Sequence, residues 1–150
     1  MGAVQGKARR YAVTYKPRYF SERELRCRCG CGAGGYAAHD PKLLELVDQL
    51  RAACGFPLRV NSAIRCPAHN KAVGGAPASY HLKGMACDLS PIPCTNQRLV
   101  VLQAAADDFN PGGGVIFYEG FVHVDVRGRR YRDGEKWVER GGVYRRERRT

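Results

Sequence analysis

No stretch of this chain is apolar and long enough to cross a bilayer, so the sequence offers no membrane-spanning helix. The opening run, MGAVQGKARRYAVTYKPRYF, carries basic residues with no apolar segment behind them. It does not read as a cleavable signal peptide, and the expectation is a protein made in the cytoplasm that reaches any outside target by another route. No internal repeat is visible. Acidic residues are scarce: 14 Asp and Glu stand against 25 Lys and Arg, giving a formal charge of +11 that favours polyanionic partners. The excess gathers at the two ends, in Lys7, Arg9, Arg10, Lys16 and Arg18 and again in 127–132 and 145–149. No aromatic-rich nucleic-acid motif accompanies it, so no specific nucleic acid is expected. The seven cysteines lack the paired CxxC spacing of a zinc ribbon and do not by themselves announce a second metal.

What is present fits one domain. The chain has 150 residues, 44% hydrophobic, with eight Tyr and five Phe to fill a core. Its 18 glycines point to turns rather than a bundle of long helices. Ser21 and Glu24 form a capping-box pattern at the start of a short helix. The clearest helix is 41–54: Asp40 caps it, Pro41 suits its first position and Gly55 stops it. Leu43, Leu46, Val47, Leu50 and Cys54 repeat along one face. A strand is expected at 58–62, a brief helix from Pro67 to near Gly74, and a strand at 85–90. Thr95 caps a second long helix with Leu99, Leu102, Ala106 and Phe109 on one face. Two strand-like runs, 115–118 and 121–126, joined by Glu119-Gly120, read as a hairpin. The tail with Trp137 and Val143 is expected to add one more strand. Helices mixed with antiparallel strands make the class α+β: a small central antiparallel sheet with packed helices.

One constellation carries chemistry. His81 and Asp88 lie seven residues apart across Gly84, a spacing that lets a loop ligand and a strand ligand converge. In Phe121-Val122-His123-Val124-Asp125-Val126 the alternation puts His123 and Asp125 on one face of a strand and the valines on the other. His81, Asp88 and His123 supply three N/O ligands, the usual set for a catalytic zinc that keeps one position for water. Amide hydrolysis also needs a carboxylate to carry the water's proton, and Glu119 and Asp125 are the candidates.

Ser79-x-His81-x-x-Gly84-x-Ala86-x-Asp88 resembles the SxHxxGxAxD signature of zinc D-Ala-D-Ala carboxypeptidases, the superfamily that also contains L-alanyl-D-glutamate endopeptidases and the hedgehog signalling domain. Further blocks are similar to the small M15-type peptidases of phages and prophages: Phe20-Ser21-x-x-Glu24, the run Cys27-x-Cys29-Gly30-Cys31-Gly32, Ser62-x-x-Arg65-Cys66-Pro67-x-His69-Asn70, Val73 to Pro77, and Phe121 to Arg127. The resemblance implies a hedgehog/DD-peptidase-like fold and one zinc per chain on His81, Asp88 and His123. It also implies an Arg65 that steadies the substrate carbonyl or its oxyanion, and a Ser79 near the substrate backbone. His69 is assigned to closing the short helix rather than to metal. Relatives place the base three residues before the last histidine, where this chain has Gly120. Glu119 and Asp125 therefore stay open as the base. In relatives with HxH the second position is the ligand, and that register would make Asp125 the ligand and His123 its helper. Imidazole is the commoner zinc donor, which favours His123.

The resulting expectations are a basic arm over 1–19, a peptidase domain over 20–135 and a basic tail over 136–150. The activity expected is zinc-dependent hydrolysis of a peptide bond in peptidoglycan stem peptides, endolysin-like, by a monomer. Anionic wall polymers would be held by the basic ends, and the site of action would be the cell wall, as for a phage or prophage lysin. The rivals are a D-Ala-D-Ala carboxypeptidase or dipeptidase and a non-catalytic zinc-containing binding domain. Cys27, Cys29 and Cys31 are expected to cluster with Cys66 in a structural role, bridged or simply packed.

Overall fold

The computed structural model describes residues 11–132 and, as strand backbone, 135–140 and 143–148. The basic residues of 1–10 named above lie outside the described residues. Helix α1 spans Pro41–Cys54, α2 Pro67–Ala72 and α3 Asn96–Phe109. Strands β1 (Leu58–Ser62), β2 (Ala86–Pro91), β3 (Gly114–Tyr118), β4 (Phe121–Asp125) and β5 (Tyr131–Arg132) form one sheet in the order β1-β2-β4-β3-β5. All its pairings are antiparallel except β3 with β5. The tail holds two strands rather than one, β6 (Glu135–Arg140) and β7 (Val143–Arg148), paired with each other as a separate antiparallel hairpin.

Local chemistry sets the boundaries. The Asp40 side chain accepts the Lys42 N–H and Pro41 opens α1. Gly55 ends the helix at φ 76°, a left-handed conformation that glycine adopts without strain. Thr95 accepts the Arg98 N–H at the start of α3. The Ser21–Glu24 box closes in both directions, but the turn that follows, Arg23–Leu25, is 3₁₀ rather than α. In the β3–β4 turn only Gly120 has positive φ, so the two-residue loop is not the doubly left-handed type.

Strand alternation divides the sheet into two faces. Leu58, Val60, Cys87, Leu89, Val115, Phe117, Val122 and Val124 point to one side, where Leu43, Leu44, Val47 and Leu50 of α1 and Leu99, Leu102 and Ala106 of α3 complete the main core. Phe109 departs from its predicted place on the core face: it is 46% exposed, while Ala105 is buried. Phe109 is the last residue of α3, and the level below it is filled by Asn110, whose amide donates to the carbonyls of Gly114 and Asp125. Asp48 is another buried polar group of this layer. It accepts from the Tyr15 hydroxyl and from the N–H groups of Arg18 and Tyr19, and so ties the incoming chain to α1.

Candidate metal centre

The opposite face of the sheet carries the polar residues. Asp88 on β2 and His123 on β4 are directly paired across the two strands, and Asp125 stands opposite Ala86. His81 comes from outside the sheet, on a 3₁₀ turn over Tyr80–Lys83. Ser79 starts that turn by accepting the His81 N–H, and Gly84 ends it at φ 68°. A side chain at 84 would also collide with the Ala38 carbonyl, so glycine is required there twice over. The His81 carbonyl accepts the Arg65 N–H at 3.0 Å, which binds this turn to the segment leaving β1.

The donor atoms of His81, Asp88 and His123 all lie within 4.8 Å of one another, and all three residues are buried. Asp88 Oδ1 is 3.2 Å from His81 Nε2 and 2.9 Å from His123 Nδ1. Each imidazole is engaged at its other nitrogen. His81 Nδ1 donates to the Ala63 carbonyl at 2.7 Å, and His123 Nε2 donates to Asp125 Oδ2 at 2.7 Å. These outer bonds leave one ring nitrogen of each histidine facing Asp88, the arrangement in which an outer partner fixes the tautomer of a metal ligand. Two imidazole nitrogens and one carboxylate oxygen suit zinc, which accepts such mixed N/O sets.

Electrostatics agree with a site built for a cation. Burial opposes charge on His123, but hydrogen bonds to Asp125 and Asp88 outweigh it and raise its pKa to about 9. Burial likewise favours neutral Asp88, yet bonds from His123 and His81 hold it well below the usual carboxylate range. Asp125 is also depressed, burial being overcome by Arg127 and His123. His123 thus lies between two carboxylates, Asp88 and Asp125, whose negative charge favours a cation at this point.

Asp125 does not join the ligand cluster. Its carboxylate is used on the far side of His123, accepting from the Arg127 side chain at 2.7 and 2.6 Å and from the Arg127 N–H at 3.2 Å. Gly114 on β3 stands opposite it, and any Cβ there would meet the carboxylate. By sequence Arg127 belongs both to a basic cluster and to the last block of the resemblance, and neither gives it this pairing. It also lies over the Tyr80 ring at 4.6 Å.

The cluster sits in a groove of about 460 Å³. Its walls include Arg65, Gly75, Ser79, Tyr80, Tyr118 and Phe121. Arg65 donates to Ser62 Oγ and to Asn70 Oδ1 and lies 3.6 Å from Asp88. Asn70, part of the resemblance block but given no role there, is buried; its Oδ1 accepts from Arg65 and its amide N–H donates to the Ala76 carbonyl, so it fixes both Arg65 and the loop ahead of Ser79. Glu119 is exposed on the β3–β4 turn and is not among the groove-lining residues, although its neighbours Tyr118 and Phe121 are. His69 lies in α2, and its carbonyl accepts the Val73 N–H that closes the helix. Among the described residues, Asp88 is the sole carboxylate on the groove wall.

Compared with known protein families, residues 18–125 match the family described as Peptidase M15. No curated protein matches the chain.

Proposed function

Since the chain belongs to the peptidase M15 family, whose members are zinc-dependent peptidases, we propose that it hydrolyses a peptide bond within the stem peptides of bacterial peptidoglycan. The observation that carries this reading is the convergence of His81 Nε2, Asp88 Oδ1 and His123 Nδ1 on one point of an open groove beside the Arg65 guanidinium. Zinc held by these three would lower the pKa of bound water to about 7 and polarise the scissile carbonyl. Arg65 is suited to the oxygen of that carbonyl, where charge develops as the amide is attacked. Its two hydrogen bonds, to Ser62 and Asn70, keep the guanidinium in place before substrate arrives. Ser79 and Tyr80 line the groove where a peptide backbone would run. The formal charge of +11 favours residence on anionic wall polymers, and we assign the wall as the place of action.

Incubating the purified protein with muropeptides and separating the products tests this. Internal cleavage of the stem peptide, abolished by chelator and restored by zinc, is expected. Release of terminal D-Ala alone would make the protein a carboxypeptidase, and no cleavage by zinc-loaded protein would leave it a binding domain.

We assign Asp125 to orienting His123, and Glu119, on the turn between the groove-lining Tyr118 and Phe121, to carrying the proton. Asp125→Asn then weakens zinc affinity or activity by about 10–100-fold, measured by metal competition and turnover. Glu119→Gln keeps its zinc and lowers turnover by about 10²–10⁴-fold. Unchanged turnover in Glu119→Gln would remove that residue from the mechanism.

A further inference from the structure

We propose that Cys27, Cys29, Cys31 and Cys66 bind a second zinc ion, structural in role and separate from the groove. Their four sulfurs lie within 4.8 Å of one another. Cys27 and Cys29 sulfurs are 3.5 Å apart, and Cys29 and Cys66 sulfurs 3.6 Å. Zinc–sulfur bonds of about 2.3 Å in a tetrahedron place sulfurs about 3.8 Å from each other, close to these separations. All four are free thiols, so no covalent bridge accounts for the cluster.

Packing does not account for it either. The apolar cluster here contains only Cys27, Ala33, Ile64 and Cys66, and Cys29 and Cys31 are exposed. Burial on that scale is a weak reason for a glycine-rich loop to hold one shape. Gly30, Gly32, Gly34 and Gly35 all sit at positive φ, and glycine loses the most freedom on ordering. The loop's backbone bonds are Cys27 N–H to Ala33, Gly30 N–H to Cys27, Gly35 N–H to Leu25 and the Arg26–Gly34 bridge, with Arg28 anchored on the Val60 carbonyl; none of them gathers the four sulfurs.

Backbone N–H groups face the two buried sulfurs. The Cys66 N–H points at the Cys27 sulfur and the His69 N–H at the Cys66 sulfur, each at 3.4 Å. Two buried ligands with two exposed ones give an anchored base and an entry path from solvent. The ligands also join two distant segments: the 27–31 loop and the cap of α2. Cys66 directly follows Arg65, and the segment between β1 and α2 also supplies the Ala63 carbonyl that holds His81. A metal here would pin the strip of backbone that positions Arg65 and His81. The inference rests on the sulfurs alone and does not require the peptidase reading.

Metal analysis of full-length protein purified under reducing conditions, with and without substitutions at each site, tests it. The unaltered chain is expected to hold two zinc ions, His81→Ala one, and the Cys29→Ser/Cys31→Ser double variant one. Cobalt(II) loaded into His81→Ala protein, which keeps all four cysteines, should give the intense near-ultraviolet sulfur-to-cobalt band and strong visible bands of a tetrahedral tetrathiolate. This arm stands even if the cysteine variant fails to fold. One zinc in the unaltered chain and none in His81→Ala, without a sulfur-to-cobalt band, would overturn the proposal. Disulfides among these cysteines in freshly isolated protein would overturn it too. A cobalt–sulfur spectrum in His81→Ala together with no muropeptide cleavage by the zinc-loaded unaltered chain would refute the peptidoglycan assignment and leave the second site standing.

Discussion

Protein carrying His81→Ala or Asp88→Ala is expected to lose the groove metal and hydrolysis together, with cleavage of muropeptides falling to the buffer background. Three protein donors are the usual set that holds a catalytic zinc with one place free for water. Removing Asp88 also leaves two imidazoles, His81 and His123, facing each other with no anion between their inner nitrogens, 3.2 and 2.9 Å from where the carboxylate oxygen stood. The cost to the fold should be smaller than the cost to function, because the main core lies on the other face of the sheet, with Leu89 and Val122. Circular dichroism of the variants should therefore keep the spectrum of the unaltered chain. Zinc analysis and product chromatography decide the matter: hydrolysis at the original rate by metal-free variant would end the metal mechanism.

Arg65→Ala is expected to retain zinc and lower turnover by about 10²–10³-fold, the loss typical when one fixed donor is taken from a developing oxyanion. The guanidinium is engaged through Nε by Ser62 and through one terminal nitrogen by Asn70, and its other terminal nitrogen faces the groove, 3.6 Å from Asp88. Lysine keeps the charge but cannot hold Ser62, Asn70 and a substrate oxygen at once, so Arg65→Lys should recover only part of the rate. A lowered kcat with little change in KM identifies a group acting on the transition state. If instead KM alone rises, Arg65 binds substrate uniformly and its assigned role is wrong.

Where the chain states its own boundaries, they were legible. Asp40, Pro41 and Gly55 bracket α1 because capping is a contest between a few neighbouring atoms, and Thr95 opens α3 for the same reason. The period-2 pattern of 121–126 separated His123 and Asp125 from the valines before any fold was known. Membership of the peptidase M15 family agrees with the motif resemblance. What sequence could not supply was the direction of side chains across elements. Asp125 and His123 share a strand face, yet whether a carboxylate two residues away ligates or orients depends on Arg127, which competes for it with a bidentate contact. Phe109 fits the helical period but ends its helix, and periodicity carries no information about where the sheet beneath stops. Asn70 belongs to a block of the motif resemblance that gives it no role, and only the fold brings it to both Arg65 and the Ala76 carbonyl.

Asp88 and His123 face one another because β2 and β4 pair in one register, Ala86 with Asp125 through Leu89 with Val122. Sliding either strand by a single residue would turn its ligand into the apolar interior and bring Cys87 or Leu89, or one of the valines beside His123, into the groove. Only the correctly threaded sheet can present both donors to one ion. The groove thus serves as an inspector of strand pairing, and an ion bound there would add its free energy selectively to the properly assembled chain.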